Sequence, residues 1–264
     1  MKKLFLWLLA LFITLSTAVY QRLTGPTYPY RGKASFLGQR IEFKLPRSAE
    51  NTDRCRIAVD PPEALSGKIQ GYLQFKRHKT GQPWNILAMK QEDTHLAGYL
   101  PKQPAAGKLE YFVHLVSGEQ EISLSGARPV VIRFKGHVSS AVLVAHIIVM
   151  FLGILLSVRA GLAAINRHEN AARLAQCTAI LIFIGGFILG PVVQKMAFGV
   201  FWSGFPVGKD LTDTKTLLMM IAWIAALASG RRTQPRRGWV LAASILTLVL
   251  FLIPHSIFGS ELKW

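Results

Sequence analysis

Two histidines stand where a bilayer would exclude them. His146 lies in AVLVAHIIVM and His255 in LFLIPHSIFG, each among apolar neighbours. An ionisable side chain at membrane depth is costly and is by default a sign of function, although an imidazole also serves as hydrogen-bond glue between helices. His146 is seven residues past Ser139 and His255 four residues before Gly259. At ~1.5 Å per residue that puts them about 10 Å and about 6 Å inside the same boundary. Two neutral imidazoles from different helices at one level suit axial ligation of a low-spin, b-type haem iron, and they would then be metal ligands. Two unrelated polar contacts are the alternative.

The other candidate chemistry is in FWSGFPVGKDLTDTK, residues 201–215. Phe201, Trp202 and Phe205 suit the headgroup level, and Pro206 and Gly208 make a turn. Asp210 or Thr212 can cap the following helix, with Asp213 in its first turn where the helix dipole favours an anion. Those roles leave Lys209 and Lys215 over, cations on the side of the membrane that usually carries few. They can meet an acidic group of a ligand, such as a haem propionate, or pair with the two aspartates.

Positioning these residues is the task of apolar helices. The chain has 264 residues, 51% hydrophobic and 17% charged, with the apolar residues in blocks, which is a membrane-protein profile. After residue 137 the blocks Ser139–Val158, Leu174–Gln194, Thr216–Ser229 and Trp239–Ile253 predict four spans. The third is short unless part of 210–215 extends it. Residues 1–20 have a basic start and an apolar stretch from Leu4 to Val19, and read as a signal anchor or a signal peptide, with the uncleaved anchor preferred. On the span Leu174–Gln194, Gly185, Gly186 and Gly190 allow a helix or a flat ligand to approach, with helix packing the plainer reading. Pro191 should bend that span, and Gln194 and Lys195 should snorkel to the surface.

The net charge of +17 does not indicate nucleic acid, because of where the charge lies. Arg159, Arg167 and Arg173 follow the apolar segment Ser139–Val158, and Arg231, Arg232, Arg236 and Arg237 follow Thr216–Ser229, against a single Glu169. That excess marks cytoplasmic loops. Alternation then sends residues 21–137, the loop 196–215 and the C-terminus to the outer, periplasmic face of a bacterial inner membrane. The expected partners are the lipid bilayer and an exported or membrane protein.

Residues 21–137 change character, to short alternating runs divided by turn formers. ASFLGQRIEFKL, KIQGYLQFK, WNILAM, HLAGYL, KLEYFVHLV, EISLSG and PVVIRFK predict about seven strands, as in an immunoglobulin-like or fibronectin-like sandwich. Tyr111 fits a tyrosine corner or, more plainly, an aromatic on a sandwich face. His78, His95 and His114 have no partner at metal-ligand spacing, and no GxSxG or HExxH motif occurs, so a binding module is expected rather than an enzyme. Cys55 and Cys177 lie in different regions and are not expected to pair.

The stretch MAFGVFWSGFPVGKDLTDTKTLLMMIAWIAAL resembles the tryptophan-rich loop and following helix of the haem-handling membrane proteins of cytochrome c maturation. The matching elements are Phe198-Gly199, Trp202, Phe205 and Asp210, then the helix with Trp223. Only one tryptophan lies in the loop, and Gly208-Lys209 stands before the aspartate. The resemblance spans about residues 146–255 and implies that His146 and His255 ligate haem. Trp202 and Phe205 would cover it, with Asp210 near it and Lys209 or Lys215 at a propionate. The competing expectation is a non-enzymatic, membrane-anchored scaffold whose sandwich binds an exported partner. A small transporter fits less well, since no two-fold repeat of spans is visible.

Overall fold

The computed structural model describes residues 2–166, 169–230 and 234–255. The described residues divide into a helical unit, up to Pro26 and from Val138 to His255, and a β unit, Thr27–His137.

The helical unit begins with α1 (Lys2–Thr24) and continues with α2 (Ser140–Ile165) and α3 (Ala172–Phe183). A π-helical turn (Ile184–Leu189) joins α3 to α4 (Gly190–Phe198), and α5 (Leu211–Ala228) and α6 (Arg237–Leu252) complete it. Four stretches are long and apolar enough to cross a membrane: Lys3–Thr24, Ser140–Ile165, Ala172–Phe198 and Leu211–Ala228. Arg237–Leu252, which carries the fourth expected span, is a shorter apolar helix. As anticipated for a short third segment, α5 gains length by starting at Leu211, with Asp210 as its cap.

Small residues bring these helices together. A Cβ on Gly161 would collide with Ser244, one on Gly186 with Thr216 and one on Gly185 with Met150, so the glycines serve close packing between helices. Trp223, fully buried, donates its indole N–H to Thr247 Oγ1 at 2.9 Å. Helix α1 packs on α2 and α6. It buries Ala10 and Thr14, sets the Trp7 ring 5.4 Å from the Arg159 guanidinium carbon, and donates from Gln21 Nε2 to the Phe251 carbonyl at 2.7 Å.

The arginines marking one end of the bundle are placed differently from the loop positions expected. Arg159 is inside α2, only 3% exposed, with Nη2 2.5 Å from Glu169 Oε2. The run VRAGLAAI is rich in good helix formers and carries α2 on past the apolar block, and the carboxylate answers the charge. Arg173 is in α3, and Arg237 opens α6 while donating to the carbonyls of Asn166 and Glu169 at 2.9 and 3.3 Å. Arg167, Arg231, Arg232 and Gly259 lie outside the described residues.

The β unit holds more strands than its alternation predicts. They are β1 (Tyr30–Phe36), β2 (Gln39–Leu45), β3 (Ser48–Glu50), β4 (Cys55–Val59), β5 (Gln70–Arg77), β6 (Asn85–Ala88), β7 (Lys90–Glu92), β8 (His95–Leu100), β9 (Lys108–Ser117), β10 (Gln120–Ser123) and β11 (Val130–Lys135). One sheet runs β3-β11-β9-β5-β6, with β10 on β9; a second runs β4-β8-β7; β1 and β2 pair alone. The run ASFLGQRIEFKL is itself most of a hairpin. Leu37 and Gly38, at φ 51° and 73°, form its two-residue turn, where positive φ at both positions matches the twist of the flanking strands. Strands β3, β4 and β7 escaped the reading because each is short and set among charged or turn-forming residues, leaving little alternation to see.

Alternate residues of β9, Leu109, Tyr111, Val113 and Leu115, face a core shared with Ile41, Leu73, Leu100, Ile132 and Phe134. Tyr111 is fully buried and donates its hydroxyl to the Pro46 carbonyl at 2.8 Å. It is therefore a core aromatic whose polar tip is satisfied by distant backbone, and burial pushes its hydroxyl pKa up. Burial likewise pushes the Cys55 thiol up to about 11, away from thiolate chemistry. Each of the three histidines noted above lies beside a carboxylate. His78 Nδ1 is 2.8 Å from Glu110 and His114 Nδ1 2.7 Å from Glu121, and His95 contacts Asp60.

Tyr111→Phe should leave the Pro46 carbonyl without its donor and cost about 1–2 kcal/mol. Hydrogen exchange of the β9 amides, followed by mass spectrometry on detergent-solubilised full chain, should quicken by roughly tenfold, while the amides of α5 should be unaffected.

Candidate ligand site at one end of the helical unit

The π turn between α3 and α4 sets the geometry of His146. Pro191 has no N–H to continue the α-helical ladder, and its ring crowds the carbonyl four residues before it. The ladder widens just ahead of it, so that the Gly190 N–H reaches Gly185 O, five residues back. Such widened turns inside α-helices often lie at functional positions. Where a bend was expected at Pro191, the helix changes its hydrogen-bond register.

Gly185 O is also 3.0 Å from Nδ1 of His146 on α2. A carbonyl only accepts, so Nδ1 carries the proton and Nε2 keeps its lone pair. Nε2 makes no hydrogen bond among the described residues. A Cβ on Gly190 would stand 3.7 Å from the His146 ring; the absence of that Cβ leaves the flank of the imidazole uncrowded. His255 is exposed in the turn after Pro254, within electrostatic range of His146, Lys215 and Asp210.

Lys215 is 2% exposed, and its Nζ lies 2.5 Å from the carbonyl of Ile253, the C-cap of α6. An ammonium at a helix C-terminus meets unpaired carbonyls and the negative end of the helix dipole. With Gln21 on Phe251 O, two side chains from separate helices fasten the end of α6 just before the turn bearing His255. Neither role was visible in the sequence. Only the fold brings α1 and α5 to the last turn of α6.

Asp213 has a similar organising role. Its Oδ2 accepts from the backbone N–H of Ser203 at 2.7 Å and of Gly204 at 3.0 Å, and from Gln194 Nε2 at 3.0 Å. Gln194, expected to snorkel, instead turns to Asp213 and to Ser203 Oγ at 2.6 Å, because a buried carboxylate needs donors more than a surface needs another amide. Asp210, 7% exposed, caps α5 by accepting from the Thr212 N–H at 2.7 Å. Lys195 closes the end of α4, donating to Gly199 O at 2.7 Å, where Gly199 adopts φ 83°.

The aromatics of the loop divide. Trp202 stacks on Phe187, ring centres 5.6 Å apart, and donates to Phe205 O at 3.1 Å; Phe187 in turn stacks on Phe183. Phe205 and Phe201 are 62% and 58% exposed, and Lys209 is also exposed. Of the seven residues expected at a ligand, His146, His255, Lys215 and Asp210 form one electrostatic cluster. Trp202 forms an aromatic wall with Phe187 of the π turn, and Phe205 and Lys209 lie on the loop surface. The cluster's donor types are an oriented imidazole, a second imidazole and a buried ammonium, groups that can hold a metal or an acidic group.

Asp213→Ala should release the loop by removing the acceptor of donors from Ser203, Gly204 and Gln194, at a local cost of about 2–3 kcal/mol. Amide exchange of residues 202–208 should quicken by roughly 30-fold or more, and Asp213→Asn should fall between Ala and wild type. No protein-family model matches the chain, and a search of curated proteins gives no significant match.

Proposed function

We propose that this chain is a membrane-embedded haem-binding protein of the haem-handling type, with His146 and His255 as the iron ligands. The observation that carries the reading is the held imidazole of His146. Its Nδ1–H is spent on Gly185 O, the backbone contact that typically fixes the tautomer of a ligating histidine and leaves Nε2 available. Proximity of His255 and the buried Lys215 supports a ligand that carries both a metal and an acidic group. When bound, haem would supply a redox-active iron centre or be the cargo that is passed on. His146 would hold the iron, Lys215 would face the acidic edge, and Trp202 with Phe187 would exclude water from one side. Lys209 and Phe205 would act from the loop surface.

In this reading α1 is a retained anchor, supported by its contacts to α2 and α6. The helix Arg237–Leu252 completes the set of spans after it, and the β unit is an immunoglobulin-like sandwich on the outer, periplasmic face. A second reading, a membrane-anchored scaffold that recruits an exported partner through the β unit, is favoured by the self-sufficiency of the loop. Asp213, Gln194 and Lys195 are all engaged in internal contacts.

An absorption spectrum of detergent-purified protein from haem-replete cells separates the two. A Soret band that is lost in His146→Ala and weakened or shifted in His255→Ala is the expected result. A colourless preparation that stays colourless on adding hemin, with both variants indistinguishable from wild type, would sink the haem reading in favour of the scaffold.

A further inference from the structure

Gln103 carries a polar atom that the fold leaves unanswered. It is 9% exposed, and its Nε2 donates to the carbonyls of Lys102 at 2.9 Å and Pro101 at 3.3 Å. Those two acceptors fix which end of the amide is nitrogen, and Oε1 is left buried with no partner among the described residues. A buried acceptor without a donor is unfavourable and uncommon in a folded chain.

Gln103 lines a cavity of about 370 Å³ between the ends of β5 and β6 and the segment joining β8 to β9. That size is within the roughly 300–1,000 Å³ of small-molecule sites. Phe75, Pro101 and Leu109 supply its apolar lining, and Gln82 and Asn85, both exposed, bring two further amides to its rim. Lys76 and Arg77 line it as well. Lys76 is already taken by Glu110 at 3.8 Å and the Trp84 ring at 4.7 Å, and Arg77 has an interaction of its own, so charge does not call for an acidic ligand. The buried end of the cavity asks instead for a neutral donor. A carboxylate there would set acceptor against acceptor, whereas a hydroxyl can donate inward to Oε1. Amides at the rim both donate and accept, as hydroxyls do, and an aromatic and aliphatic lining suits the C–H face of a ring.

We infer that this cavity binds a neutral pyranose sugar, with one hydroxyl donating to Gln103 Oε1, the ring against Phe75 and Leu109, and the outer hydroxyls on the amides of Gln82 and Asn85. The site is independent of the histidines of the helical unit, and it gives the β unit a ligand of its own.

Hydrogen exchange of the detergent-purified full chain tests it, with glucose, cyclohexanol and inorganic phosphate each at millimolar concentration. Glucose should slow exchange several-fold in peptides covering Gln70–Arg77 and residues 101–107, while leaving α5 unchanged. Cyclohexanol, with one hydroxyl, and phosphate, with charge and no ring, should each protect less. Gln103→Met, which keeps the length of the side chain and removes the acceptor, should abolish the protection. Asn85→Ala should weaken it, and Arg56→Gln, at a different surface of the β unit, should retain it. Unliganded exchange of β9 reports whether each variant is folded; if Gln103→Met is not, the exposed Asn85 carries the test. Equal protection by cyclohexanol would reduce the cavity to an apolar pocket, and equal protection by phosphate to an anion patch, and either would overturn the inference. No protection by glucose in the wild-type chain, protection that survives in folded Gln103→Met or is undiminished in Asn85→Ala, or its loss in Arg56→Gln, would also overturn it.

Discussion

A polar group taken out of water must find its partner inside the protein, and the helical unit is arranged around that constraint. Its helices bond their own backbones, but their ends and the few polar side chains among them cannot be left to solvent. Lys215 answers the end of α6, Gln21 answers the carbonyl of Phe251, and Asp213 gathers the donors of the loop. His146 meets a carbonyl in the π turn ahead of Pro191. Each contact joins two segments distant in sequence, so satisfying the polar groups also fixes how the helices sit. Glycines at 161, 185 and 186 make this possible, since a side chain there would hold the neighbouring helix off.

The β unit solves the same problem with a different geometry. Strand pairing satisfies most backbone groups, and alternation puts one face of β9 in the core and leaves the other to polar contacts. Tyr111 shows the limit of that economy. Its ring is in the core, and its hydroxyl has to travel to the Pro46 carbonyl. Gln103 shows the opposite case, with one end of its amide engaged and the other unanswered among the described residues. A buried group of that kind is uncommon in a folded chain.

Much of the organisation could be read from residue patterns. Long apolar blocks marked α1, α2, the α3 to α4 segment and α5, because a helix of such composition has nowhere to go but a membrane or a buried core. Alternation located β8 and β9 well, and it missed β3 and β4, which are too short to show a period. Asp210 was readable as a cap, since the residue type, its place before an apolar run and the dipole all agree. The same logic made Asp213 an ordinary first-turn acid, and there local reasoning fell short. Its main partners, Ser203, Gly204 and Gln194, come from the preceding loop and helix.

The sequence by itself determined which segments are apolar helices and which are strands, where the turns fall, and which ionisable residues lie in apolar surroundings. These properties depend on neighbours within a few positions, through hydrophobic period, turn chemistry and capping. Tertiary structure alone decided what those ionisable residues touch. Arg159 became a buried ion-pair member, Lys215 a clasp on α6, and His146 an imidazole with one nitrogen held by a backbone carbonyl. Those outcomes depend on which helix end or carbonyl arrives beside them, and that is set by packing across tens of residues of chain, which no local pattern encodes.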